Sequence, residues 1–198
     1  MGFNIAGLVI NQNYEKDINK LSQDLKWDIE ILEEIDFETA SSNWTPDDEF
    51  RLHFTDKATM IFFPHDWVAD QFKSDTADTL NYAYSATSMA FQVDLFRSGE
   101  LVRSITEFDD EKKYEEGQPL ALEQKHSSAD ALTFALIDEM LDDDFGSIDL
   151  SSQSYRCKKI LRKQQIVQQV DTHREVKKKT SENVKIKFVQ KKWWQFWK

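Results

Sequence analysis

In 198 residues there is one cysteine, Cys157. A lone thiol excludes an internal disulfide and any multi-cysteine zinc site, and it fits a reducing compartment. Glycine and proline are also scarce, at 5 and 3, which excludes a Gly- or Pro-rich linker or repeat architecture. No stretch reaches the roughly 18 apolar residues of a membrane-spanning helix. Met1 to Ile10 is apolar but lacks a basic start, and Asn11, Asn13 and Glu15 follow at once. It does not read as a secretory signal. Ala6 stands where a myristoylation pattern wants Ser or Thr, so that modification is not expected either. There is no Gly-rich phosphate loop and no Gly-x-Ser-x-Gly elbow. His53, His65, His126 and His173 never fall at a spacing that puts two metal ligands on one helix face. These absences lead to an expectation of a cytoplasmic, non-enzymatic protein with no metal and no cofactor.

What is present is charge, laid out unevenly. Residues 1–155 carry 11 Lys and Arg against 33 Asp and Glu, while residues 156–198 carry 14 against 3. The formal charges of −22 and +11 sum to the chain's −11. The division predicts an acidic folded domain over 1–155 and a basic tail over 156–198, partly helical or flexible. Apolar content of 40% and aromatic content of 13% suffice for a packed core in the first part. The tail ends in Lys191-Lys192-Trp193-Trp194-Gln195-Phe196-Trp197-Lys198, and half of the six Trp lie there.

Hydrophobic periodicity predicts an α+β fold, a mainly antiparallel sheet with packed helices. Phe3 to Ile10 reads as a strand, and Tyr14 to Leu25, with Ile18, Leu21 and Leu25, as an amphipathic helix. Trp27 to Phe37 reads as a second strand with an irregularity at Glu33-Glu34. Thr45 to Asp48 is a turn. Two short strands join at Asp56-Lys57, and His65 to Lys73 is a short helix burying Trp67, Val68 and Phe72. Leu80 to Met89 is ambiguous between helix and strand. Met89 to Phe108 is a hairpin turning at Ser98-Gly99, where Gly supplies a positive φ. Asp109 to Gln118 reads as an acidic loop. A helix follows, with Ser128 as N-cap and Asp130 in the first turn. Gly146 lies past its end, and its wide apolar stripe calls for a sheet to pack on.

Several groups invite a chemical reading. His65-Asp66 has the makings of an acid–base pair, but a helix start after Pro64 explains it more simply. Asp142, Asp143, Asp144 and Asp149 surround Gly146 without calcium-loop spacing. Cys157 sits among Arg156, Lys158 and Lys159, neighbours that lower a thiol pKa, yet it has no evident histidine partner. The acidic residues fall into three groups: Glu30, Glu33, Glu34, Asp36 and Glu38; Asp47, Asp48 and Glu49; and Glu107, Asp109, Asp110, Glu111, Glu115 and Glu116. Where such groups converge they attract a basic partner and speed its association; otherwise they serve solubility. Asp109, Asp110, Glu111, Glu115 and Glu116 are the candidate partner-binding residues, with Trp44 as an exposed anchor. The tail residues Lys191, Lys192, Trp193, Trp194, Phe196 and Trp197 suit nucleic acid, a membrane surface, a groove on a partner or the acidic domain itself.

Arg97-Ser-Gly-Glu-Leu-Val-Arg103, followed by Glu116-Gly117-Gln118-Pro119-Leu120 and Glu123, resembles small bacterial α+β domains of the immunity-protein-like type associated with polymorphic toxins. The resemblance covers about residues 1–150, with its firm part at 91–123. It implies a non-catalytic domain that neutralises a toxin by covering it, often with an acidic face against a basic nuclease. The basic tail is not part of that pattern. The function expected is capture of a basic protein by the acidic surface. The alternative is an adaptor whose tail tethers the acidic domain to nucleic acid, a membrane or an assembly. Oligomeric state is not legible.

Overall fold

A computed structural model describes residues 4–43, 45–69, 72–109, 111–126 and 128–160. They form a sheet whose strands, in chain order, are β1 (Asn4–Ile10), β2 (Asp28–Asp36), β3 (Glu49–Phe54), β4 (Thr59–Phe62), β5 (Thr79–Ser85), β6 (Ala90–Arg97), β7 (Glu100–Phe108), β8 (Glu111–Gly117) and β9 (Gln153–Ile160). Across the sheet the order is β2-β9-β3-β4-β1-β5-β6-β7-β8. The ladders of β1 with β4 and β5, of β3 with β4 and β9, and along β5-β6-β7-β8 are antiparallel. The helices are α1 (Ile18–Leu25), α2 (Phe37–Ala40) and α3 (Ala129–Leu141). The architecture is a mainly antiparallel sheet with packed helices.

The sheet is buried on both faces at its centre. Ile5 and Val9 of β1 join Met60, Leu80, Tyr82, Val93 and Ile105 under Leu132, Leu136, Ile137 and Met140 of α3. Ala6, Leu8 and Ile10 face the other way, onto Leu21 and Leu25 of α1 with Tyr14, Phe50, Leu52 and Ile61. A strand covered on both faces carries apolar residues almost without interruption, as Ile-Ala-Gly-Leu-Val-Ile does in β1. Gly7 is needed there: a Cβ would lie 2.3 Å from the Ile61 carbonyl oxygen and 2.7 Å from the Tyr82 hydroxyl. The buried Tyr82 ring lies against the space that the glycine leaves.

Several element boundaries differ from the sequence reading. α1 starts at Ile18, not Tyr14, because Tyr14 is drawn into the core. The Tyr14 amide donates to Thr59 Oγ1 at 3.0 Å, and Asp17 caps the helix by accepting from the Lys20 amide at 2.9 Å. Phe37 leaves β2 for the one-turn α2, capped by Asp36 at 2.8 Å from the Thr39 amide. The ambiguous Leu80 region is strand β5. Residues 111–117, read as loop, form β8: Ser104 pairs Glu116 and Ile105 pairs Glu115. An edge strand tolerates many charges, and this one, with five in seven residues, carries no apolar alternation. α3 ends on Asp142, whose φ of 54° is left-handed, a conformation that Asp tolerates. Gly146 instead sits in the next short turn, its amide donating to Asp144 Oδ1 at 2.8 Å. The hairpin turn is as expected, with φ of 49° at Ser98 and 80° at Gly99.

One unit of the chain extends to Lys159. The change of charge at Arg156 therefore falls inside β9, where Arg156 stands opposite Arg51 and Lys158 opposite Glu49.

Candidate functional site

Residues 28–49 hold nine carboxylates and no lysine or arginine. β2, which carries five of them, is the outermost strand at one end of the sheet. Its first residues are anchored: Ile29 packs with the α1-side cluster, and Trp27, just before the strand, sits 5.5 Å from the Phe50 ring and 5.6 Å from the Trp67 ring. Its far end is anchored on the other face, where Ile35 packs with the α3-side cluster. Ile29 and Ile35 are six apart and would share a face in a regular strand. Their division between faces requires one shift of the alternation between them. Glu33 reaches Arg156 on the α3 side and so shares the face of Ile35; the shift falls before Glu33, not at Glu33-Glu34 where the sequence suggested an irregularity.

Two of the three acidic groups meet here. Arg156 of β9 lies 3.3 Å from Glu33 Oε1 and 3.7 Å from Glu49 Oε2, so one guanidinium spans the strand group and the turn group. Lys158 pairs with Asp48 at 2.6 Å and holds its carboxyl below the usual range. β9 thus seats part of the acidic edge and leaves Glu30, Glu34 and Asp36 among the exposed carboxylates beyond it. Next to this edge, Lys159 Nζ lies 4.3 Å from the Trp27 ring centroid and 5.0 Å from that of Trp67, a cation over two aromatic faces.

The third group stands at the opposite end. Eight strand spacings of about 4.8 Å put β8 roughly 38 Å along the sheet from β2. Asp109 is exposed at the β7–β8 turn, with a left-handed φ of 55°. Glu115 faces the α3 side and binds Arg103 at 2.9 Å. Glu116 points the other way, hydrogen-bonded to the Tyr114 hydroxyl. Glu111 opens β8, next to Lys112 and Lys113 in sequence. This group is therefore divided between two faces. Asp110, Trp44 and the tail residues Lys191 to Trp197 lie outside the described residues.

The residues of the immunity-like pattern have a structural reason. Arg103 is 1% exposed and forks onto Glu123, Nε to Oε1 and Nη2 to Oε2, both at 2.7 Å. Its other nitrogen donates to the carbonyls of Glu116 and Gly117 at 3.3 and 3.2 Å. Gly117 has a φ of +84°, and a Cβ there would lie 2.0 Å from the Val102 carbonyl oxygen. This lock between β7, β8 and the turn at Ala121–Gln124 was missed as a pair in the sequence, although both ends of it stand in the motif. The exposed apolar pair of β2, Ile31 and Leu32, was missed too; its signal is two apolar residues side by side among carboxylates.

The remaining candidates are structural. His65 begins a short 3₁₀ turn (His65–Ala69), and burial holds its imidazole below the ordinary value against the Tyr84 backbone and Asp66. Asp66 itself is exposed. Cys157 is fully buried, and burial pushes its thiol up to about 12; the nearby cations do not activate it. Asp142 pairs with Lys57, Asp144 caps its turn and Asp149 accepts from the Ser151 amide at 2.9 Å. Among the described residues no three His, Cys, Asp or Glu side chains gather as a metal-binding group, and no helix is long and apolar enough to cross a membrane. No protein-family model matches the chain, and no curated protein or solved structure matches it.

Proposed function

We propose that this protein is a non-catalytic binding protein, immunity-like in its mode of action, that captures a basic protein through its acidic surface. The observation that carries this reading is the convergence of residues 28–38 and 47–49 on one end of the sheet, with Arg156 reaching both Glu33 and Glu49. A single-sign field of this kind attracts a cationic surface and speeds its association. The β2 end supports capture better than the Asp109–Glu116 group, where Glu115 is held by Arg103 and lysines interleave.

The test is affinity capture on the full chain at low and high salt, with bound proteins identified by mass spectrometry. Two variants are compared with the natural chain: Glu30→Lys/Glu33→Lys/Glu34→Lys, and Asp109→Lys/Glu111→Lys/Glu116→Lys. A basic protein should be retained at low salt by the natural chain and by the second variant, and lost by the first. Retention by the first variant, or a partner indifferent to salt, rejects the reading, because attraction between exposed charges is screened over about 8–10 Å at ordinary ionic strength.

A further inference from the structure

Resting on that reading, and going further to the mode of binding, we propose that β2 is a receptor strand: its outer edge takes up an extended, basic segment of the partner protein as an added strand of the sheet. β2 pairs with β9 on its inner side and ends the strand order. Among the described residues, no strand lies on its outer side. Such an edge is a row of main-chain donors and acceptors that templates another strand.

The side chains indicate what kind of strand. Ile31 and Leu32 are 45% and 40% exposed, in the middle of β2. They are the apolar centre of the outermost strand, where an added strand would cover apolar surface. On either side stand the exposed carboxylates Glu30, Glu33 and Glu34, with no cation in β2. Edges are commonly defended against pairing by lysine, proline or a bulge; β2 has no lysine or proline, and its one shift of alternation lies between the regularly alternating pairs at its two ends. Its charge selects the occupant: a second β2 would set carboxylate against carboxylate, which is destabilising between paired strands, while lysine or arginine is matched. Anchoring of Ile29 and Ile35 in the two clusters holds the strand extended before anything binds, which lowers the ordering cost. β8, the other edge, has Lys112 and Lys113 among its glutamates and lacks this single-sign signature.

The experiment uses the full chain and a fluorescent ten-residue peptide of alternating valine and lysine. A control peptide has the same sequence, N-methylated at two pairs of adjacent residues, so that both edges lose donors and the charge is unchanged. Anisotropy titration at low salt should show the control binding at least about tenfold more weakly. Hydrogen exchange with the parent peptide should slow the amides of Asp28–Asp36 and leave those of Glu111–Gly117 unchanged. Ile31→Lys/Leu32→Lys, at exposed positions, should weaken the parent peptide at least about tenfold. Equal binding of the two peptides overturns strand addition and leaves capture by charge standing. Protection at Glu111–Gly117 in place of β2 overturns it as well. Binding of neither peptide rejects both strand addition and acidic capture.

Discussion

At the scale of single residues, the largest electrostatic commitments are internal. Arg103 satisfies its donors on Glu123, Glu115 and two carbonyls, and its guanidinium is raised above its ordinary value chiefly by the Glu123 hydrogen bonds. Arg103→Met should destabilise the protein by about 3–5 kcal/mol, because it removes the counter-charge of Glu123, a mostly buried carboxylate. Urea titration measures this, and Arg103→Met/Glu123→Leu should recover part of the loss, as expected for residues that act as a pair. A second consequence concerns pH. His53 Nδ1 lies 3.2 Å from the Gln153 carbonyl and 3.0 Å from Ser154 Oγ, and the ring packs on Phe37 at 4.5 Å. Burial depresses the imidazole pKa of His53 and of His65, more than the backbone contacts raise it. The folded state then refuses protons that the unfolded state takes up below about pH 6.5. Stability should be intact above that pH and fall as pH is lowered through 6.5 to 5, by at most about 1.4 kcal/mol per pH unit for each histidine. Urea midpoints across that range check it, and His53→Asn should flatten the slope.

Element by element, the readings that succeeded are those where local chemistry and burial agree. The β6–β7 hairpin is visible because its turn has Gly99 and its strands alternate. α3 is visible because its apolar stripe is wide and has a sheet to cover. β8 was read as a loop because its sequence has no apolar alternation and Tyr114 to Gly117 are exposed; only its hydrogen bonds to β7 make it a strand. Helix ends shifted where tertiary contacts intervened, as with Tyr14, bound to Thr59 before α1 begins. The two edge strands and the centre should therefore differ in local stability. Native-state hydrogen exchange should show the amides of β1, β4 and β5, covered on both faces, as the slowest. Those of β2 and β8 should open first. Slow exchange in unliganded β2, equal to that in β1, would contradict its reading as an accessible edge.

For the molecule as a whole, Cys157 gives a direct measure of cooperative unfolding. It lies in β9, enclosed in the cluster under α1, and is fully buried. Its thiol should resist an aromatic disulfide reagent in the native state, and react at the rate of opening of the sheet when denaturant is added. Rapid native-state labelling would show that β9 detaches on its own. The charge pattern has the same whole-molecule character. The order of residues alone determined that the chain is acidic over most of its length and basic from Arg156 on, that it has no internal disulfide, and that periodicities of two and near 3.6 alternate along it as strands and helices. These are local or additive properties, readable wherever they occur. Which acidic groups meet was decided by the order of strands. Residues 28–38 and 47–49 converge because β9 returns to lie between β2 and β3, while Asp109 to Glu116 are carried to the far edge. Strand order depends on long-range hydrogen bonding and on which faces the helices cover, and neither is encoded in any one segment. For that reason the sequence directs attention to the carboxylates after β7, while the tertiary structure directs it to β2.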